Sequence, residues 1–328
     1  MKQRYIYIDY LKIIGLFLVI LAHVSPPLFI NQLRSCDVPL LVIVSGYLAS
    51  CTYSGGGGNQ RGIKEYLWKR FKRLAIPAWI FCCIFLPIRI VFYNVPTFDE
   101  LIKEFTFQRD SDMLGFMWVI WVYLVCACMI PFISNIKINK KSVSIIMAIY
   151  VCFELLSKTK LPENRFMYMS IFTIIPYGCM ALLGYNLSKI KKTIYWIIGS
   201  FSVFVVIAIG LYLHHGVYVQ TDAYKYPAQL YYLSFAVGVS IYLYSFLRNK
   251  HLPTNKMLSF ISSSSLWIYL WHILALYAVK MFIPDDDKWL FQYVLIIIIA
   301  ISITYIQNII IDSLIHKFKI KWLNVFKG

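Results

Sequence analysis

Acidic residues are scarce: 15 Asp and Glu stand against 32 Lys and Arg in 328 residues. Charged side chains of all kinds make up only 14%, while 60% of the chain is hydrophobic and the mean hydropathy is +0.66. A soluble domain is roughly 45–50% apolar, so this shortage of charge excludes one and leaves a polytopic membrane protein. The net charge of +17 would suit nucleic acid, but the basic residues are scattered between apolar runs, as the loop charges of a membrane protein are, and no nucleic-acid partner is expected. No C-x-x-C pair is matched by a second one. Cys82, Cys83, Cys126, Cys128, Cys152 and Cys179 fall inside apolar runs, which reads as small buried hydrophobes and gives neither a disulfide framework nor a metal site. The longest non-apolar stretches, 54–73 and 95–115, are too short to fold alone. Residues 1–328 therefore read as a single integral-membrane domain with no separate soluble part.

What is abundant is apolar runs near the ~20 residues that a helix needs to cross a bilayer. They lie at about 6–30, 38–53, 74–94, 116–134, 142–157, 166–187, 194–213, 228–247, 260–282 and 289–313. The predicted fold is an all-α transmembrane bundle of about ten spans with both termini cytosolic. Lys2 and Arg4 precede the first run, which lacks a small-residue cleavage site, so it reads as a retained span and not a signal peptide. With that orientation the inside segments hold 21 basic residues and the outside loops eight, and acidic residues such as Asp99, Glu100, Glu104 and Asp285 lean outward. This is the asymmetry of the positive-inside rule.

Three ionisable residues interrupt the first run: Asp9, Lys12 and His23. At ~100° per residue, Lys12 and His23 differ by roughly 20° around a continuous helix and Asp9 by roughly 40°, so all three share a face. Titratable groups inside a bilayer are costly and turn toward a protein interior or a wet cavity, which makes this face a candidate site. An imidazole there suits proton transfer from a hydroxyl; a hydrogen-bonded structural role is the plainer reading of His23, as snorkelling is of Lys12.

The basic run Leu67–Pro77 contains Lys69, Arg70, Lys72 and Arg73. Anchoring at the inner face explains such a run, while Arg70 and Arg73, three apart, also form a fork for phosphate oxygens of a cytosolic donor. Gly55 to Gly58 lacks the ending of a phosphate loop and reads as a hinge. Tyr269, Trp271 and His272 put a second histidine inside a span, either as core or as cavity lining, and Arg89 and Glu154 stand toward outer span ends, lining an acceptor site or snorkelling.

In order along the chain, these stretches resemble the acyltransferase-3 family, bacterial integral-membrane O-acyltransferases that modify surface glycans. Asp9-Tyr10-Leu11-Lys12, with His23 eleven residues beyond Lys12, is similar to the family's Asp-x-Leu-Arg opening and Arg/Lys-x10-His motif. Pro39 to Leu48 resembles its second span, ending here in Ser45-Gly46-Tyr47-Leu48, and Arg70-Phe71-Lys72-Arg73 matches Arg-x-x-Arg. Tyr269-Leu270-Trp271-His272 resembles Tyr-Leu-x-His, and Met117-Trp118 through Pro131 is similar to its central span. Lys12 departs from the commoner arginine, giving a point charge in place of a planar fork.

The resemblance implies that His23 is catalytic, assisted by Lys12 and Asp9. It implies that Arg70 and Arg73, with Lys69 and Lys72, hold acyl-coenzyme A as co-substrate, acetyl by default. Ser45, Trp118, Tyr269, His272, Arg89 and Glu154 become candidates for the substrate cavity. The implied partners are acyl-coenzyme A, a glycan or lipid-linked sugar acceptor and the lipid bilayer, in a bacterial cytoplasmic membrane; nothing in the sequence sets the oligomeric state. Two other classes compete: a transporter or flippase, for which Pro87 and Pro176 would break spans, and a non-catalytic scaffold or sensor.

Overall fold

A computed structural model describes residues 5–53, 62–136 and 138–327. The tetraglycine Gly55–Gly58, Lys2, Arg4, Arg61 and Lys137 lie outside the described residues. Fourteen α-helices follow one another: α1 (Ile6–Leu21), α2 (Leu28–Arg34), α3 (Asp37–Tyr53), α4 (Ile63–Phe92), α5 (Phe98–Phe105), α6 (Trp118–Ile133), α7 (Lys140–Ser157), α8 (Arg165–Met169), α9 (Ile171–Asn186), α10 (Thr193–His215), α11 (Leu230–Arg248), α12 (Lys256–Ser263), α13 (Ser265–Phe282) and α14 (Trp289–Phe318). No strand occurs among the described residues. The chain is an all-α polytopic bundle, and among the described residues eight helical segments are long and apolar enough to cross a membrane. Of the ten expected runs, α1, with 16 residues, and α7 are not among those eight.

The first run stops sooner than its apolarity suggests. The helix ends at Leu21, and the backbone N–H groups of Ala22 and His23 donate to Val19 and Ile20, three residues back, at 3.1 Å each. Ser25 then takes a left-handed φ of 51°, and Pro26 and Pro27 have no N–H with which to continue. His23 therefore sits in the turn after α1, and the shared-face arithmetic for a continuous helix does not carry as far as this residue.

The chain divides into two compact units, with the boundary inside α1. The first comprises Met1–Leu18, Pro27–Ile63 and Val125–Pro253. Its centre is the pairing of α3 with α9, made close by two glycines. A Cβ at Gly46 would stand 2.3 Å from the Ala181 carbonyl oxygen, and one at Gly184 would stand 2.1 Å from that of Ile43. Helices in lipid gain nothing from hydrophobic transfer to each other, so they associate through such close backbone approach. On α10, which buries no residue fully, Phe204 stacks on Tyr231 of α11.

This unit also holds a buried ionic cluster that the sequence reading did not anticipate. Arg34 bonds Asp37 at 2.9 Å and also pairs with Asp222; Lys225 donates to both Asp37 oxygens at 3.1 and 3.2 Å. Asn31 accepts from Arg34 Nε at 2.8 Å and donates to Asp222 at 3.1 Å, while Asp37 also receives its neighbour's N–H at 2.7 Å. The loop before α11 is thereby fastened to the α2–α3 turn. Burial works against the charged form of Lys225, but the Asp37 carboxylate outweighs it and raises the ammonium's pKa.

The second unit comprises Val19–Pro26, Lys64–Leu124 and Thr254–Gly328. In it α4 and α13 run side by side in the same direction, with Phe81 against Trp271, Phe85 against Tyr277 and Tyr93 against Tyr277. α14 returns along α13, tied by Trp271 Nε1 to Gln307 at 2.6 Å. α5 opens with a capping box at Thr97 and Glu100 and closes over Arg89. Beyond α5, the chain descends between the helices. The Trp79 indole donates to the Phe105 carbonyl at 2.8 Å, Tyr277 donates to Met113 at 2.8 Å, and Tyr269 donates to Phe116. Trp79 and Tyr269 each stand thirteen residues before the end of their helix, about 20 Å in by helix rise. Irregular backbone at such depth is tolerated where protein encloses it, and Phe107, Met113, Leu114 and Met117 are all buried.

Candidate active site

The descending segment carries the Gly115–Met117 3-10 turn to the level of His23 and His272. The half-buried His23 ring lies 4.3 Å from the Phe116 ring and 5.5 Å from the His272 ring, centroid to centroid, the two imidazoles being within 23° of parallel. His272 is 0% exposed and its ring is 5.0 Å from that of Tyr269. His272 Nδ1 is hydrogen-bonded to the Tyr269 carbonyl one turn back, and the Tyr269 hydroxyl donates to the Phe116 carbonyl. Tyr269 thus orients one histidine directly and fixes the turn whose aromatic ring covers the other.

The structure brings together His23, Tyr269 and His272 from the sequence-predicted set, and Trp118, at the start of α6, follows two residues after Phe116. Phe116 itself was missed. Its signal is only positional: a glycine and an aromatic just before a long apolar run. Asp9 and Lys12 lie half-buried on the α1 portion of the first unit, and Ser45 lies half-buried on α3.

The basic run forms the first turns of α4. The Arg70 guanidinium lies 5.4 Å over the Tyr66 ring, and Lys72 lies 5.3 Å over Trp68. Lys69 is paired with Glu65, both exposed. Arg73 is exposed, and neither Arg70 nor Arg73 has an acidic partner among the described residues. Within the second unit Phe81 marks the level of Trp271, beside His272, and Arg73 comes eight residues earlier on α4, about 12 Å along the axis.

Arg89 is enclosed within the chain, and Glu154 is half-buried near the end of α7. Arg89 is 0% exposed; its guanidinium pairs with Glu104, reaches Glu100 at 3.1 Å and donates to Asn94 at 3.1 Å. All three of its nitrogens are engaged within the chain. The Glu154 carboxylate accepts the N–H of Leu230 at the start of α11. Near Arg89, a hydrogen bond from Asp112 is the main reason that the Glu100 pKa is low, and the same bond raises that of Asp112. Burial raises the pKa of Glu104 against the opposing pull of Arg89.

The second unit thus holds His23 and His272 side by side and a basic stretch at the start of α4, in a chain with several apolar helices long enough to cross a membrane. Residues 5–308 match the family model described as an acyltransferase domain, so the chain belongs to the acyltransferase-3 family and is a membrane acyltransferase. Comparison with curated proteins and with solved structures gave no match.

Proposed function

We propose that this acyltransferase moves an acyl group, acetyl by default, from cytosolic acyl-coenzyme A to a hydroxyl of a cell-surface or lipid-linked glycan, in a bacterial cytoplasmic membrane. Arg70 and Arg73, which have no carboxylate partner among the described residues, supply the phosphate contacts of the donor, with Lys72 beside them. Arg73 stands about 12 Å along α4 from the histidine level, so a donor bound by its phosphates extends its thioester along the helix toward His23. His23 then either removes the proton of the attacking hydroxyl or takes the acyl group before passing it on. The resemblance to the family is what gives Lys12 and Asp9 an assisting role.

The observation that carries the reading is the enclosure of His23 by Phe116 and His272 in a chain of this family. The test is His23→Ala, compared with wild type at matched protein level, with base-labile acetyl on the surface glycan measured by mass spectrometry. Loss of roughly 10²–10⁴-fold is expected, the usual yield of one proton-transfer or nucleophilic group. Unaltered acetylation would remove His23 from the mechanism.

A further inference from the structure

His272 carries information that His23 does not. Its Nδ1 faces the Tyr269 carbonyl, and a carbonyl oxygen can only accept, so Nδ1 bears the hydrogen. In the neutral ring Nε2 is then the bare lone pair. That atom points away from the Tyr269 carbonyl by the geometry of the five-membered ring, is buried, and has no hydrogen-bond partner among the described residues. A buried acceptor without a donor is unfavourable, so an unmet ring nitrogen in the core calls for a reason. What the lone pair lacks is an O–H or N–H, and the ring beside it is the candidate catalytic imidazole, 5.5 Å away.

We propose that His272 Nε2 receives the proton of the acceptor's hydroxyl, leaving His23 to carry the acyl group. The inference rests on the acyl-transfer reading above and divides its two open roles between two residues. In the first half, a ring nitrogen of His23 attacks the thioester carbonyl. The N–C bond forms, the C–S bond breaks, and the departing thiolate takes the proton released by the acylated ring. In the second half, the hydroxyl held at His272 Nε2 attacks the acyl carbon. The O–C bond forms, the proton moves to Nε2 and the N–C bond to His23 breaks. His23 recovers a proton from the His272 imidazolium, which restores both neutral rings.

His272→Asn tests this, because the amide nitrogen stands where Nδ1 stood and keeps the bond to Tyr269, while the acceptor at Nε2 is gone. Purified protein in detergent is mixed with acetyl-coenzyme A and free thiol is followed; glycan acetylation is measured in cells. The expected variant releases a burst of about one thiol per chain, yet its glycan acetylation falls by about 100-fold or more, whereas His23→Ala releases no burst. Acetylation within about threefold of wild type would make His272 structural, and loss of its burst would place it on the donor side; either overturns the proposal. Wild-type protein releasing no thiol without acceptor, while its glycan is acetylated in cells, would overturn the acyl-His23 step and this inference with it but leave direct transfer standing; no thiol and no glycan acetylation would overturn the acyl-transfer reading itself. Should His272→Asn not fold, His272→Gln is read by the same criteria. Rapid quenching of wild type with labelled acetyl-coenzyme A needs no variant, and label on His272, or on neither histidine, reverses the assignment.

Discussion

Among the polar side chains buried in this chain, the Arg34–Asp37 cluster and His272 are completed differently. In the first unit Arg34, Asp37, Asp222 and Lys225 set two cations against two anions, and Asn31 and the Val38 N–H occupy remaining positions. In the second unit His272 has one nitrogen bonded and the other without a partner among the described residues, beside a second histidine. Both groups cost desolvation, but only the first recovers it from within the chain. The contrast suggests which holds the fold and which waits for a reactant.

The largest expected effect comes from breaking the completed group. Asp37→Ala leaves Arg34 and Lys225 buried with one carboxylate between them, and removing one partner from a buried pair costs about 3–5 kcal/mol. The expectation is a strongly lowered unfolding temperature in detergent and little folded protein in the membrane. His23→Ala should leave unfolding close to wild type. If Asp37→Ala unfolded normally while glycan acetylation disappeared, the charges of the first unit would belong to the chemistry and the contrast would fail.

The fold class was legible because apolar runs and the placement of basic residues report the bilayer directly. His23, Tyr269 and His272 were legible as intramembrane ionisable or polar residues, and their order along the chain carried the family. Their assembly was not, because it depends on the segment between α5 and α6 descending to Tyr269 and Tyr277, and nothing local in a polar-looking loop announces depth. The end of α1 was misjudged because hydrophobicity continues past Leu21, while the stop is set by the turn at Ser25 and two prolines. The Arg34 cluster escaped notice because its closing partners, Asp222 and Lys225, are nearly two hundred residues away.

A smaller effect sharpens the role of the Ser45-Gly46 stretch. Its family-like pattern suggested a substrate cavity at Ser45, but Gly46 and Gly184 are where α3 and α9 touch backbone to backbone. Gly184→Ala drives a methyl to 2.1 Å from the Ile43 carbonyl oxygen, a contact that requires the helices to move apart. Overpacking of this kind costs about 1–3 kcal/mol. Unfolding temperature should fall while acetylation per folded molecule holds; a loss of turnover with unchanged unfolding would return the stretch to the site.

The smallest effect concerns the second unit's own completed group, around Arg89. Burial raises the Glu104 pKa above its ordinary value of 4.5, so the folded chain holds that proton more tightly than the unfolded one. A group shifted this way loses stability as pH rises from 4.5 through its folded pKa and changes nothing further above it. Glu104→Gln removes the titration while keeping an acceptor for Arg89. The difference in unfolding temperature between wild type and Glu104→Gln should therefore move in the variant's favour as pH rises across that window. A difference independent of pH would mean that Arg89 fully compensates the buried carboxylate, making this group as self-contained as the one around Asp37.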